Sequence, residues 1–118
     1  MKTLFDKIWD AHVVESIPDG PDILYIDKHL IHEVTSPQAF RELRDRGIPI
    51  LRPEKIIATA DHNTPTQDQH LPVKDLLSRK QLQELTENCA ANNIELYGLG
   101  HPYNGIVHVM APELGITQ

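Results

Sequence analysis

The chain has one cysteine, Cys89, in 118 residues. A single thiol forms no intrachain disulfide and cannot by itself supply a multi-cysteine metal or iron–sulfur site. Basic residues are also short: 11 Lys and Arg stand against 17 Asp and Glu, a formal net charge of −6. Phosphate backbones are bound through clustered Lys and Arg, so nucleic acid is excluded as the expected partner. No run approaches the roughly 18 apolar residues of a membrane span. The opening "MKTLFDKIWDAHVV" is broken by Asp6, Lys7 and Asp10, where a signal peptide carries an unbroken apolar stretch. The expectation is a cytoplasmic chain without a membrane partner. Repeats and low-complexity tracts are absent too.

What is present is one domain's worth of chain, short for an enzyme that also carries a cofactor. It holds seven histidines, six of which (His29, His32, His62, His70, His101 and His108) lie beyond the first helical segment. That segment opens at Thr3, a fitting N-cap with Asp6 three positions on, and runs to about Val13 with Leu4, Phe5, Ile8, Trp9 and His12 at helical spacing. After the turn signal "PDGPD", Ile23 to Ile26 suit a strand, and Leu30 and Ile31 continue extended. Ser36 and Pro37 fit the N-cap and first position of a second helix that stops at Gly47. Lys55 to Ala60 make the next strand. Residues 63–72, with two prolines and no periodicity, form a loop. Ser78 with Gln81 reads as a capping box for a helix whose apolar stripe is Leu82, Leu85 and Cys89, ending near Asn92. Ile94 to Leu99 form a last strand, with helix again from about Ile106.

Alternating strands and helices predict an α/β fold: a layered α/β/α arrangement with a mixed or parallel sheet. In such sheets, loops leaving the C-terminal ends of strands carry the chemistry. Asp61 and His62 leave one strand, His101 leaves the next, and His108 follows one loop later. An Asp facing an imidazole favours its charged form and makes it a better proton carrier near neutral pH. Neighbours on an extended chain point to opposite sides, so contact between these two requires a turn at that point. Cys89, on a helix, reads as a small buried hydrophobe.

The blocks "LYIDKHLIHEVTSPQAF", "IIATADHNTPTQ" and "ELYGLGHPYNGIVHVMAPELG" follow one another in order and spacing in a way that resembles the large subunits of 3-isopropylmalate dehydratases, a family of the aconitase superfamily. The resemblance covers nearly the whole chain. It implies that residues 1–118 are a single partial domain, the N-terminal part of an aconitase-type catalytic region, inactive as this chain alone. By the same resemblance Asp61 orients and charges His62, and His62 protonates the departing hydroxyl of the substrate. His108, in "GIVH", becomes a substrate or proton-network residue. Gln38, in "TSPQAF", aligns with a substrate-contacting glutamine, although Ser36-Pro37 requires a one-residue gap against aconitase proper. The implied reaction is a dehydration and rehydration that isomerises 2-isopropylmalate to 3-isopropylmalate in leucine biosynthesis. The family's cofactor is a 4Fe-4S cluster whose three cysteine ligands are absent from this chain, and its partner is a separate small subunit. No metal ligand is assigned within these residues.

Other readings remain open at the level of sequence. Homoaconitase-like and citraconate-type hydratases share these blocks. His62, His101 and His108 would serve a mononuclear metal hydrolase as a three-histidine site. A non-catalytic remnant or interaction module is the third. His29 and His32 form an H-x-x-H that reads as strand-end hydrogen bonding rather than as a zinc site, His70 as a solvated loop residue, and His12 as a satisfied helix residue.

Overall fold

The computed structural model describes residues 1–116. Thr3 opens α1 (Leu4–His12): its hydroxyl accepts from the Asp6 N–H while the Asp6 carboxylate accepts from the Thr3 N–H, the expected capping box. The helix ends at its C-cap Val13, about where expected, and there the chain becomes extended and forms β1 (Val13–Ser16), which pairs antiparallel with β2 (Asp22–Leu24). The strand expected over Ile23 to Ile26 is therefore one arm of a hairpin around "IPDG", outside the main sheet. β-Branched Val13 and Val14 favour the extended state just where α1 runs out of helix formers.

His12 ties this hairpin down. Its Nδ1 lies 2.7 Å from the Ile8 carbonyl and its Nε2 lies 3.2 Å from the Asp27 carboxylate. The Ile8 carbonyl first, then Asp27, raises the imidazole pKa above its ordinary value, and His12 in turn lowers that of Asp27. A raised imidazole pKa contributes stability below the unfolded value, lost as pH rises through the folded one; a lowered carboxylate pKa contributes above its unfolded value, lost as pH falls through the folded one. The tie is thus strongest between about pH 4 and 6.5, the two ordinary values. We expect Asp27→Asn to lower the His12 pKa seen by NMR while leaving it above the ordinary value, because the Ile8 contact remains. An unchanged His12 titration in that variant would show that the pair does not form.

The main sheet is parallel and three-stranded, in the order β3 (His29–His32), β4 (Ile56–Thr59), β5 (Glu95–Tyr97). Crossovers run through α2 (Ser36–Asp45) and α3 (Leu76–Ala91), which cover one face. Ile31, Ala58, Phe40, Leu85, Cys89 and Ile94 form the core there, with Leu96 packed against it. α4 (Val107–Glu113) buries Met110 and Ala111 and packs near β3. Thr59, whose side chain points away from the Ala58 core, bonds Gly105 just before α4. The α/β class and the parallel pairing of the main sheet are as expected, and the antiparallel pair is a separate two-stranded sheet.

Two helix starts differ from the sequence expectation. α2 has Thr35 at its N-cap position without a side-chain cap bond, and the Ser36 hydroxyl donates to the His32 carbonyl at 2.6 Å. Gly47, at φ 63°, takes the left-handed position that ends this helix. α3 begins at Leu76, because the charged Asp75 side chain, accepting from the Ser78 N–H at 2.8 Å, captures the N-cap three residues before Ser78. Ser78 and Gln81 are thereby released for another task.

The molecule is open. Its radius of gyration is 16.9 Å, against about 13.5 Å for a compact domain of this length. Its accessible surface is 8793 Å², against about 6500 Å² for a folded monomer of this mass. Leu76 and Leu77, in the first turn of α3, are 73% and 75% exposed. No helix among the described residues is long and apolar enough to cross a membrane.

Candidate functional site

The C-terminal ends of the three parallel strands meet at one edge, where β3 delivers His32 and Glu33, β4 delivers Asp61 and His62, and β5 leads to His101. Glu33 continues the inward alternation of Ile31 and is fully buried. Its carboxylate accepts three consecutive backbone N–H groups, from Asp61 (2.9 Å), His62 (2.6 Å) and Asn63 (2.5 Å). Amides converge in this way only when the chain turns sharply, which makes an anion-binding concavity. This is the turn that contact between Asp61 and His62 required.

The side chains of the turn go three different ways. Asp61, facing the α4 side, accepts from the Val107 N–H at 3.1 Å and keeps only 10% of its side chain exposed. Asn63 is clamped to α3: it donates to Gln81 Oε1 at 2.6 Å and accepts from the Ser78 hydroxyl at 3.2 Å. His62 is 54% exposed, with Nδ1 3.9 Å from Asp61 Oδ2, a separation for charge attraction rather than a hydrogen bond. The His32 ring lies over it, centroids 4.4 Å apart at 34°. His32 Nδ1 accepts from the Val34 N–H at 3.3 Å.

A second network closes the opposite side of the edge. Asn104 donates to the Ala60 and Tyr97 carbonyls at 2.8 and 2.9 Å, and the Thr59 hydroxyl donates to the Gly105 carbonyl at 2.9 Å. These bonds hold the β5–α4 loop against the end of β4 and so set where α4 begins. His101 stacks on Tyr97 at 4.7 Å, and its Nδ1 accepts from the Tyr103 N–H.

Of the residues singled out in the sequence, Asp61 and His62 share the turn. Gln38 is an exposed residue early in α2, and His108 an exposed residue in the first turn of α4. Among the described residues, the one group whose ligand atoms come within 4.8 Å of one another is His32, Glu33 and His62. The trio of His62, His101 and His108 is not gathered into a metal-binding set. Sequence reasoning passed over Glu33, Asn63 and Asn104. A signal for Glu33 did exist: it is a charge on the inward side of "HLIHE", two residues after a core isoleucine.

A family model described as the aconitase family (aconitate hydratase) matches residues 6–118. The chain belongs to the aconitase family. Its relatives include proteins named 3-isopropylmalate dehydratase large subunit. The one from Flavobacterium johnsoniae is 62% identical over 116 residues, which is 98% of this chain and 25% of the relative. That from Bacteroides thetaiotaomicron is 56% identical over 117 residues, 99% of this chain and 25% of the relative. That from Nostoc punctiforme is 54% identical over 116 residues, with 98% and 25% covered. This aconitase-family chain thus spans about a quarter of the length of the relatives it matches. No solved structure matches it.

One cysteine is all that the chain offers to the iron–sulfur cluster implied by the resemblance, and its surroundings do not fit. Cys89 is buried in the α3 core, and burial pushes its thiol pKa up to about 11, whereas a ligand must be a thiolate. The residues present do not make a cluster site.

Proposed function

We propose that this chain is the N-terminal part of the large subunit of a 3-isopropylmalate dehydratase, a hydro-lyase that isomerises 2-isopropylmalate to 3-isopropylmalate in leucine biosynthesis. The observation that carries the reading is 62% identity to such a subunit across 98% of the chain. The site agrees with it, since an acid and an exposed imidazole stand together on a braced turn at the carboxyl edge of a parallel sheet.

In this reading His62 gives its proton to the hydroxyl leaving the substrate, turning a poor leaving group into water. Asp61 places a carboxylate 3.9 Å from the ring and, in this reading, orients it. Asp61 also anchors the start of α4 through Val107, the residue before His108. Gln38 and His108 are assigned to the substrate, both exposed and available to it. No step is assigned to a cluster here, because these residues do not hold one. Its ligands belong to other parts of the whole subunit.

The partner is a small subunit, and the expected location is the cytoplasm. The open surface described above suits a chain covered by further structure, and alone it is inactive. A chimera tests the whole reading. Residues 1–116 replace the matching quarter of the Flavobacterium johnsoniae large subunit, and turnover of 2-isopropylmalate is measured with the small subunit present. Turnover within about tenfold of the parent is expected, since a core and site kept at this identity lose little transition-state stabilisation. A folded, assembled chimera without turnover would overturn the proposal.

A further inference from the structure

We propose that Glu33 is the positioning residue of this site: its buried carboxylate fixes the turn of Asp61, His62 and Asn63 and, through that turn, the imidazole of His62. The proposal rests on the reading of His62 as the proton donor.

A fully buried carboxylate is costly unless charge-assisted hydrogen bonds compensate it. Among the described residues no Lys or Arg pairs with Glu33; its partners are the three turn amides alone. Ending a strand requires no buried charge, for Thr59 and Asn104 complete the neighbouring strand ends with neutral groups. What the carboxylate does that a neutral group cannot is accept at both oxygens, one on the Asp61 N–H and the other on both His62 and Asn63.

The rest of the turn shows what this achieves. Asp61 is bound to Val107, and Asn63 to Ser78 and Gln81, so every side chain of the turn except that of His62 is tied down. His62 alone projects to solvent, with the ring of His32, next to Glu33 on β3, limiting its swing. The turn is thus a mount that presents one imidazole in one direction, and Glu33 is its fixing point. A general acid depends on such placement, since a misplacement of about 1 Å costs on the order of a hundredfold.

The test uses the large subunit assembled with its small subunit. Glu33→Gln keeps the shape but replaces one acceptor with an N–H₂ facing N–H donors. We expect kcat for 2-isopropylmalate to fall roughly tenfold to a hundredfold, a share of what a general acid is worth, with KM little changed. Glu33→Asp, which keeps both acceptors on a shorter arm, should recover part of the loss. In a His62→Gln background, Glu33→Gln should add nothing further, because the two act through one group. An equal additional loss there would mean that Glu33 acts independently of His62 and would overturn the proposal, as would full kcat in Glu33→Gln alone. If Glu33→Gln does not fold, Glu33→Asp carries the same comparison. Hydrogen exchange separates this failure from that of the underlying reading. Normal turnover by His62→Gln overturns the reading of the site, whereas unchanged exchange of the amides at 61, 62 and 63 in Glu33→Gln overturns the role of Glu33 by itself.

Discussion

If His62 is the proton donor proposed above, replacing it by glutamine in the whole large subunit assembled with its small subunit should lower kcat for 2-isopropylmalate by roughly a hundredfold to ten-thousandfold, the usual worth of a general acid. The ring is 54% exposed and nothing else in the turn can deliver a proton in its place, since Asp61 is committed to Val107 and Asn63 to α3. Asp61→Asn should cost less. The amide oxygen can still accept from the Val107 N–H, so α4 stays anchored while only the negative charge near the ring is lost. His70→Gln is the control, an exposed histidine of the loop after the turn, and should turn over normally. A His62→Gln enzyme as active as this control would reduce the Asp-His pair to the polar end of a strand.

Leu85→Ala should abolish most of the chain's cooperative stability. Leu85 is 1% exposed and belongs to the core where β3, β4, α2 and α3 meet, with Ile31, Phe40, Ala58, Cys89 and Ile94. Truncating a buried leucine costs about 2–5 kcal/mol, against about 5–15 kcal/mol available to a typical domain. A molecule this open buries less than a typical domain and starts near the low end of that range, so the variant should be largely unfolded by circular dichroism at 37 °C. Leu77→Ala, on the same helix but 75% exposed, should change stability by no more than about 0.5 kcal/mol. Matching melts for the two variants would mean that the parallel sheet and its helices are not the stabilising core.

The sequence carried the order of elements well and their edges less well. Thr3 with Asp6 and Gly47 marked the start of α1 and the end of α2 because capping is local chemistry within a few residues. The same kind of signal misled at Ser78 and Gln81, since Asp75 offered a charged cap one turn earlier. The hairpin strand β1 went unread because Val13 fits the apolar stripe of a helix as well as it fits a strand. The site was legible in part. Asp61 and His62 stood out as a polar pair where an apolar run ends, yet the residue holding them, Glu33, lies 28 to 30 positions away along the chain.

By itself the sequence determined the alternation of helix and strand, the family, and the placing of Asp61 and His62 at a strand exit, since each is written in local patterns or in blocks of consecutive residues. Only the tertiary structure decided which way those two side chains point. The parallel register sets His32 beside Thr59; one step further along, it brings the Glu33 carboxylate under the turn and the His32 ring over His62. The crossover through α3 brings Ser78 and Gln81 to Asn63, and the loop after β5 brings the Val107 N–H to Asp61. Each is a hydrogen bond or ring contact between segments distant in the chain, and such contacts form only when strand pairing and helix packing have set the register.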